Sequence, residues 1–528
     1  HSDYIIAWGK NSTTDEGPQI TLARIKTAQA RGAKLIVIDP RETGLGEIAD
    51  YWFPVIPGAD GALALAMLKL IIDRDRYDHD FVRDFTRGFE EFRDYLDTLS
   101  LENLSRWCGI SIEQIQVLVD LFCSTEKISL ISHTGLEYQY SALQNGRALF
   151  VLWAITNKLD KEGAIYLDVR EVPTFVPYPV PREGAPLGAE QFPLFYGFMR
   201  CGQFSFVPKA VLEDDPYPVR GLLIVGGSPA LSFPESRKWR RAYEKLECLI
   251  VLDRYLTEDA RYADVVFPAC SLFECPKEIV GPNGPLLIEA SIPPVAEARN
   301  DLFIMQQIAE RLGFGHLYPK DDAEMRAWLH TDTTPFVGDF CGKKGVEEWR
   351  YQKYKTGELR EDGRPGFPTP SGKFEICSVL LEDYGFTPYP EYQDISSAFS
   401  FDANKFPFMM TTGARSNHRM GVFGPNIPEV AAVEPYPFAD IAPEDAAELD
   451  IEDGEWVRVT TPFGSGKYKT RIFGMARHSI HIPHGGGSVY MSDAWHDGNV
   501  NDLCSLEQCD PLTGFVTIKT VPCRVDKV

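Results

Sequence analysis

The sequence predicts two α/β units that are Rossmann-like, doubly wound and mostly parallel, followed by a C-terminal β-barrel of double-psi-like type. Three observations predict this architecture. A strand, glycine turn, helix and strand pattern occurs twice, once in each half of the chain. Strand and helix patterns alternate through both halves, which is typical of parallel sheets. From Phe408 onward the chain changes to short alternating runs separated by turns, which is typical of a barrel. The predicted domains are residues 1–165, 166–400 and 401–528.

The repeat agrees in spacing as well as in composition. The first copy contains YIIAWGKN, KLIVIDPR and ADYWFPV, and the second contains GLLIVGGS, CLIVLDRY and ADVVFPA. Asp39 and Asp50 are 11 residues apart, and so are Asp253 and Asp264. A strand-end glycine lets the backbone approach a phosphate, and the Asp at the next strand end can bind a ribose or a base. The repeat therefore predicts two nucleotide sites, with two ligand-free βαβ units as the alternative; Asp264 is expected to support its loop.

Within the first unit the elements follow from the same patterns. Helices are predicted over residues 19–30, 61–73, 80–86, 111–121 and 142–157. ISLISHTGLEY (Ile128–Tyr138) predicts a further strand that runs into another glycine turn. After residue 165, VPTFVPYPVPREGAPLG is too rich in proline for a helix or a central strand, so a long loop is expected there. This loop is either a lid or channel wall, or a surface excursion.

The last part of the chain contains the barrel signals. WVRVTTPFGSGKYKTRIF predicts a hairpin, IAPEDAAELD a short helix before it, and HSIHIPHGGGSVY and GFVTIKTVPCRV further strands. The three histidines of HSIHIPH suggest a metal site at first sight. Because side chains alternate along a strand, however, His478 and His481 point to opposite faces, and a three-histidine site with His484 is not expected.

Composition excludes several functions. Lys+Arg 53 against Asp+Glu 76 gives a net charge of −23, which argues against nucleic acid or an anionic membrane surface as partner. No run of about 18 apolar residues is present, so direct membrane insertion is not expected. The 11 cysteines include no Cys-x-x-Cys pair, and the spacing of Cys270 and Cys275 does not suit a zinc or iron–sulfur site. They are expected to be buried free thiols of a protein in a reducing compartment.

An ordered set of motifs along the whole chain resembles one enzyme family. WGKN, VIDPR, the GAD after FPVIP, GGSPA, VLDRYLTEDARYADVVFPACSLFE, TPSGKFE, TTGARSNHRMGV and NVNDLCSLEQCDPLTGF occur in this order. The same order is seen in the molybdopterin guanine dinucleotide enzymes of the dimethyl-sulfoxide-reductase type. GKN and the WRYQKYK…GFPTPSGKFE segment are most similar to the acetylene hydratase branch, and thiosulfate and polysulfide reductases come next. The resemblance implies the catalytic-subunit portion of a molybdenum or tungsten oxidoreductase that acts on a small molecule.

The resemblance also implies which residues hold a bis-molybdopterin guanine dinucleotide cofactor, with one dinucleotide per α/β unit. The matching positions of the first unit are Gly9, Lys10, Asn11, Ser12, Asp39, Arg41, Glu42, Asp60, Gly135 and Gln139. Those of the second unit are Gly227, Ser228 and Asp253, where Asp60 and Asp253 would read guanine or its ribose. The second turn departs from the common Gly-x-Asn-Pro pattern, which puts one amide contact in doubt and leaves Ser228 as a hydroxyl donor.

In the barrel the matching positions form a loop and a closing segment. The loop contains Thr412, Gly413, Arg415, Ser416, His418 and Arg419, and the closing segment contains His484, Asn501 and Asp510. Arg415 and His418 are the catalytic candidates, because an arginine fork suits a phosphate or an anionic substrate; an exposed turn is the alternative. His133 is expected to be a core or turn histidine rather than a catalytic one. Glu274 is either structural or functional.

Members of this family begin with a cluster-binding cysteine domain and a segment that carries the protein ligand to the metal. Neither pattern occurs in this sequence, so a 4Fe–4S cluster and the metal's side-chain ligand are expected upstream of His1. The sheet containing Tyr4–Trp8 should then expose an apolar face or edge. An iron–sulfur electron-transfer subunit is the expected partner. A hydratase without net redox chemistry and a non-catalytic pterin-binding subunit stay open, as does the choice between molybdenum and tungsten.

Overall fold

The computed structural model describes the chain except residues 14–19, 168–183, 200, 282–283, 322, 325–326, 328–348, 416–426 and 489. At residues 277–281, 284–287, 414–415 and 430 it describes the backbone alone. Most of the predicted proline-rich loop therefore lies outside the described residues. Among the described residues, no helix is long and apolar enough to cross a membrane. Ten described cysteines are free; four of them are buried and two are exposed.

The first unit is built on a four-stranded parallel sheet. Its strands are β1 (Tyr4–Trp8), β2 (Lys34–Ile38), β3 (Tyr51–Phe53) and β5 (Ile128–Ser132), in the order β3-β2-β1-β5. The order reverses at β1, so the sheet is doubly wound, as predicted. Its helices are α1 (Ile20–Ala30), α2 (Asp60–Asp73), α3 (His79–Phe85), α4 (Phe89–Asp97), α5 (Leu101–Cys108), α6 (Ile112–Cys123) and α7 (Ala142–Ile155).

Both faces of strand β1 are buried. Ile6 and Trp8 belong to the large core shared with α2 and α7, whereas Ile5 and Ala7 pack in a smaller core with Ile25 of α1. The expected exposed edge of this sheet stays a prediction, whereas the expected exposed apolar face is not seen at β1. The reason is that helices of this chain cover both sides of the strand, so its alternating side chains all find apolar neighbours.

The second unit contains a smaller parallel sheet. Strands β6 (Gly221–Val225), β7 (Cys248–Asp253) and β8 (Val265–Pro268) follow one another in the order β6-β7-β8. These described strands show no reversal, so the doubly wound arrangement is seen in the first sheet only. The accompanying elements are α8 (Pro193–Met199), α9 (Val207–Glu213), α10 (Pro229–Ser232), α11 (Ser236–Lys245), the antiparallel hairpin β9 (Lys277–Gly281) and β10 (Gly284–Ile288), and α12 (Asp301–Arg311).

The segment after residue 349 returns to the first unit. Its elements are α13 (Lys353–Thr356), β11 (Phe374–Glu375), α14 (Val379–Asp383) and α15 (Ile395–Ala398). Strand β11 pairs with β4 (Thr86–Arg87) of the first unit. Tyr354, Phe367 and Ile376 are buried in the first unit's large core. Residues that the sequence places in the second unit thus help to build the first.

The C-terminal part forms a closed six-stranded barrel, as predicted. Its strands are β12 (Phe408–Arg415), β13 (Phe438–Ile441), β14 (Trp456–Thr460), β15 (Ser465–Ile472), β16 (Ser479–His484) and β17 (Val521–Lys527), in the order β12-β16-β13-β15-β14-β17. The predicted hairpin is β14–β15, with Thr460 opposite Ser465. Its helices are α16 (Pro428–Ala431), α17 (Pro443–Glu448), which is the predicted short helix, and α18 (Asp493–Asp497). Closure removes exposed strand edges, and the apolar residues of the six strands fill the interior.

Candidate functional site

The two strand-end glycine turns have the same backbone geometry. Gly9 has φ +62° and donates its N–H to Ile38 O at 2.9 Å. Gly226 has φ +58° and donates its N–H to Leu252 O, also at 2.9 Å. The counterpart of Gly9 is therefore Gly226, one residue before the predicted Gly227. Superposing the two sequence repeats strand by strand would have found it.

The aspartates of the repeat also match. The Asp39 carboxylate accepts the Arg41 N–H at 3.0 Å, and the Asp253 carboxylate accepts the Tyr255 N–H at 3.0 Å. Each of these two aspartates therefore shapes the turn that follows its strand. The role of Asp253 in reading guanine stays a prediction.

The second aspartate of each copy has a structural contact. Asp50 accepts the Leu35 N–H at 2.9 Å, and Asp264 accepts the Leu249 N–H at 2.7 Å. Both contacts fasten the approach to the third strand onto the beginning of the second. This agrees with the supporting role expected for Asp264.

Two glycine turns of the first unit touch at the point where the strand order reverses. The Gly135 N–H donates to Gly9 O at 3.1 Å. A Cβ atom on Gly135 would lie only 2.1 Å from Gly9 O, so glycine is required for this approach. The strand order of the sheet reverses between β1 and β5, and the two turns follow the carboxyl ends of these strands. Open α/β sheets bind their ligands at such a point.

Asp60 lies behind these turns with both carboxylate oxygens engaged. It is 3% exposed and accepts from Trp8 Nε1 at 2.7 Å and from Gln139 Nε2 at 2.5 Å. Gln139 also donates to Gly135 O at 2.7 Å and accepts from Asn145 Nδ2 at 3.1 Å. Burial raises the pKa of Asp60 to about 6. In this arrangement Asp60 and Gln139 brace the Gly135 turn from behind; their contacts with the dinucleotide stay predictions.

A second cluster joins the first unit to the barrel. Arg41 Nη2 lies 2.8 Å from Asp440 of strand β13. Asp440 also accepts from Arg471 Nε at 2.7 Å and lies 2.8 Å from His481 Nδ1. His481 Nε2 lies 2.9 Å from Gly413 O, in the predicted pterin loop. Sequence reasoning singled out Arg41 and Gly413 but missed Asp440, because a carboxylate inside a barrel strand has no local sequence signature.

Opposing effects set the charges in this cluster. Burial would raise the pKa of Asp440, yet the His481 hydrogen bond and the Arg41 charge hold it well below its usual range. Burial and Arg41 lower the pKa of His481 to about 4, against the pull of Asp440. Both ring nitrogens face oxygens that can only accept, which favours the charged ring. Because two guanidinium groups already neutralise Asp440, we assign the neutral ring with its proton on Nδ1. In this tautomer Nε2 is an acceptor, so its approach to Gly413 O is a packing contact and not a hydrogen bond.

Several predicted cofactor residues carry buried polar atoms that have no hydrogen-bond partner among the described residues. These atoms are Ser12 Oγ, Arg41 Nε, Thr412 Oγ1 and Asn501 Oδ1. A buried polar atom left unpaired costs about 1–3 kcal/mol, so native proteins rarely keep several. Donors and acceptors of this kind, beside glycine turns that admit close backbone approach, fit a polar ligand such as a dinucleotide.

The second turn differs from the expectation for Ser228. Its hydroxyl donates to Asp259 instead of being left for a ligand. Asp259 also accepts the Ala230 N–H at 3.0 Å and the Tyr243 hydroxyl at 2.6 Å. Asp259 was not singled out in the sequence, because its distance from Ser228 along the chain hides the contact.

The barrel residues are only partly described. Ser416, His418 and Arg419 lie outside the described residues, and Arg415 is described by its backbone, which is opposite His484 in the strand register. The catalytic assignments of Arg415 and His418 therefore stay predictions. Asn501 donates to Leu231 O at 2.5 Å and so ties the barrel to the second unit.

Of three further candidates, two make hydrogen bonds to the backbone and the third is exposed. Asp510 accepts the Leu512 N–H at 3.1 Å and the Thr513 N–H at 2.8 Å. Glu274 accepts the Ser271 and Val295 N–H groups, both at 2.6 Å, so it holds a loop. His133 is exposed, as a turn histidine would be.

A surface cavity of about 800 Å³ lies elsewhere, between helix α11 and the turn of the β14–β15 hairpin. Its described lining includes Arg237, Arg241 and Phe463 and none of the predicted cofactor residues. We therefore place the first site by the contact between the Gly9 and Gly135 turns and not by this cavity. Among the described residues, no cluster of His, Cys, Asp and Glu side chains is arranged to hold a metal ion.

Comparison with known proteins identifies the same regions. Residues 1–311 match the molybdopterin oxidoreductase family, and residues 408–522 match the molybdopterin dinucleotide binding domain. The chain is 27% identical to acetylene hydratase of Syntrophotalea acetylenica, over 87% of this chain and 67% of that protein. It is 26% identical to the assimilatory nitrate reductase catalytic subunit of Bacillus subtilis, over 99% of this chain and 74% of that protein.

A third relative and a solved structure agree with these matches. The chain is 27% identical to the F420-dependent formate dehydrogenase subunit alpha of Methanocaldococcus jannaschii, over 100% of this chain and 77% of that protein. The structure of acetylene hydratase from Pelobacter acetylenicus has the same fold, with a TM-score of 0.77 and 21% identity over 100% of this chain and 78% of that one. The chain thus spans between 67% and 78% of the length of these relatives.

Proposed function

This chain belongs to the molybdopterin oxidoreductase family, and we propose that it binds two pterin–guanine dinucleotides that together hold one molybdenum or tungsten ion. The reaction proposed for the whole enzyme is the oxidation or reduction of a small molecule. The observation that carries the proposal is the repeated turn geometry at Gly9 and Gly226, with Asp39 and Asp253 at the next strand ends. Two turns of one shape predict two ligands of one kind.

The residues of the first turn suit one diphosphate. Backbone N–H groups that follow Gly9, the Ser12 hydroxyl and the buried Lys10 would hold it. Asp39 would meet the ribose or base at the adjacent strand end. The Gly9–Gly135 contact brings the β5 turn against the same place, so that its backbone would lie beside the pterin.

The barrel residues orient the loop that covers the cofactor. Asp440 binds both Arg41 and His481, and the His481 ring packs against Gly413 at the start of this loop. When bound, the cofactor supplies a metal centre that exchanges electrons or polarises a substrate. The chain itself binds, orients and shields that centre. A 4Fe–4S cluster and an electron-transfer subunit outside this sequence remain part of the proposal.

The test is a count of guanine nucleotides per metal in the native full-length protein. Metal content is measured by elemental analysis, and nucleotide is measured after acid hydrolysis. Two guanine nucleotides per molybdenum or tungsten are expected. Protein that is isolated with metal but without guanine nucleotide would contradict the proposal.

A matched pair of variants locates the second dinucleotide. Asp253→Ala should weaken nucleotide retention, because a charge-assisted hydrogen bond contributes about 1.5–3 kcal/mol to binding. It should lower the melting temperature only through the lost bond to the Tyr255 N–H. Asp264→Ala should lower the melting temperature first, because Asp264 holds Leu249. Unchanged nucleotide together with a large fall in the melting temperature of Asp253→Ala would make Asp253 structural.

A further inference from the structure

The second glycine turn is connected to a buried carboxyl group that has no part in the proposed function so far. Asp259 is 0% exposed and lies between strands β7 and β8. Its carboxylate accepts from the Ser228 hydroxyl, from the Ala230 N–H at 3.0 Å and from the Tyr243 hydroxyl at 2.6 Å. The first of these donors belongs to the turn, the second to helix α10 that follows it, and the third to helix α11.

Packing does not hold this turn as it holds the first one. Among the described residues, a Cβ atom on Gly226 would meet nothing within 4 Å, and one on Gly227 would have its nearest neighbour at 3.9 Å. At the first turn, by contrast, the Gly135 backbone presses against Gly9. The second turn therefore depends on hydrogen bonds for its shape.

The turn's own side chains do not supply those bonds. Ser228 precedes helix α10 but makes no capping hydrogen bond to it, and Pro229 has no N–H. The Ala230 N–H, which a capping side chain would ordinarily satisfy, is taken by Asp259 from 29 residues further along the chain. Asp259 thus links the hydroxyl and the backbone of the turn at a single carboxylate.

We propose that Asp259 is the positioning residue of the second dinucleotide turn. It holds Ser228 and Ala230 so that the backbone N–H groups of Gly227 and Ser228 face the diphosphate, while the Gly226 N–H stays bound to Leu252 O. This inference rests on the proposed function, because it takes the turn to be a dinucleotide site. Asp259 acts through the turn and does not touch the cofactor, and the Ser228 hydroxyl serves the turn instead of the ligand.

The carboxylate is specifically suited to this task. Three donors meet at Asp259, and a carboxylate has two oxygens that both accept. An asparagine would offer one acceptor oxygen and present its NH₂ group to the Ser228 hydroxyl, which would have to accept, so that charge-assisted hydrogen bonds become weaker neutral ones. The isosteric variant Asp259→Asn should therefore lose the shape of the turn without leaving a cavity.

The experiment compares three variants in the metal-containing full-length protein, each of which alters only contacts of Asp259. Asp259→Asn and Ser228→Ala should lower the guanine nucleotide bound per protein, because the second turn loses its shape while the first is untouched. Tyr243→Phe is the matched control. It also removes one hydroxyl donor to Asp259, but from helix α11, so it should keep the full nucleotide content.

A second measurement does not depend on the cofactor. Amide hydrogen exchange at residues 226–230 of cofactor-free protein should become faster in Asp259→Asn and Ser228→Ala and stay unchanged in Tyr243→Phe. If Ser228 were instead a ligand of the cofactor, Asp259→Asn would release its hydroxyl and the nucleotide would be retained.

The outcomes separate this inference from the proposed function. Wild-type protein with two nucleotides per metal, together with Asp259→Asn that keeps both, would overturn the positioning role alone. Wild-type protein with a single nucleotide would overturn the two-dinucleotide proposal and this inference with it. If Asp259→Asn does not fold, Ser228→Ala is compared with Tyr243→Phe to test the positioning role. Equal nucleotide content in these two variants would overturn that role.

Discussion

At the scale of single residues, the burial of Asp60 makes stability depend on pH. Its pKa of about 6 exceeds the ordinary 3.8, so the folded state holds the proton more tightly than the unfolded state. The resulting stabilisation is complete below the unfolded pKa and is lost as the pH rises through about 6. Asp60→Asn, which does not titrate, should lack this dependence.

The measurement is the melting temperature of both proteins at two pH values. Between pH 5 and pH 8 the wild type should lose about 1.4 kcal/mol relative to Asp60→Asn, from the difference between the two pKa values. Groups common to both proteins cancel in this comparison. An identical pH dependence in the two proteins would show that Asp60 is not buried with a raised pKa.

The contact between Gly9 and Gly135 gives a second prediction at this scale. Gly135→Ala would place a methyl group 2.1 Å from Gly9 O, so the two turns must separate. A cost of about 1–3 kcal/mol is expected from overpacking, together with loss of nucleotide from the first site. Gly146→Ala is the control: it lies in helix α7 with open space around it and should gain about 0.5–1 kcal/mol. Thermal melting should therefore shift in opposite directions.

The sequence located most of these residues but not their partners. The strand-end residues Gly9, Asp39 and Asp253 were predictable, because a glycine or an aspartate after an apolar run has a local signature. The bonds from Asp60 to Trp8 and from Ser228 to Asp259 were not, since they depend on where separate segments meet in space. The sequence pattern around a strand-end aspartate is the same whether its carboxylate binds a ligand or a neighbouring hydrogen-bond donor of the protein.

At the scale of elements, one buried ion pair anchors the segment that returns to the first unit. Lys353 and Asp160 are 2% and 0% exposed. The Lys353 N–H donates to Asp160 Oδ2 at 2.6 Å, its ammonium donates to Oδ1, and it also donates to Arg350 O at 2.7 Å. The Tyr166 ring lies 4.0 Å from the ammonium and adds a cation–π contact.

Lys353→Met should destabilise the protein by about 3–5 kcal/mol, because it leaves Asp160 buried and uncompensated. Adding Asp160→Asn to the same chain should recover part of this loss. The control is Arg524→Met, which breaks an exposed pair with Asp526 and should cost no more than about 1 kcal/mol. Chemical denaturation measures all three, and equal effects of the buried and exposed changes would contradict the anchoring role.

The placement of the segment after residue 349 and two helices of the first unit were not predicted from the sequence. Five helices of the first unit were predicted because their apolar residues recur with helical spacing. Helices α4 and α5 were missed, and so was the return of Tyr354, Phe367 and Ile376 to the first core. A sequence pattern shows that a side chain is buried, but not which core receives it. Of the last predicted strand, GFVTIKTVPCRV, only residues 521–525 belong to β17, which continues to Lys527.

At the scale of the whole molecule, the barrel joins the two α/β units. It meets the first unit through the Arg41–Asp440 pair and the bond from Ala476 N–H to Pro40 O at 2.7 Å. It meets the second unit through Asn501, and through Asn499 Nδ2, which donates to Ser236 Oγ at 2.8 Å. The barrel thus contacts the first unit at residues 40–41, near its glycine turn, and the second unit at residues 231–236, after its glycine turn.

Asp440→Asn should loosen the first of these connections. The change weakens the bonds to Arg41 and Arg471, so amide exchange at residues 40–42 and 473–476 should become faster. Asp445→Asn is the matched control, because Asp445 is equally buried but bonds Arg477 within the barrel. It should leave exchange at residues 40–42 unchanged. Equal exchange in both variants would mean that Asp440 does not connect the units.

The Arg41–Asp440 pair also fixes an order of events during protein synthesis. The two residues are 399 positions apart (440 − 41), so the ribosome releases the first turn long before its partner exists. Contacts between such distant segments form late in folding. We expect the nascent first unit to wait with residues 39–42 unfastened until the final quarter of the chain has emerged. A polypeptide truncated before Phe438 should therefore show faster amide exchange at residues 39–42 than the longer chain.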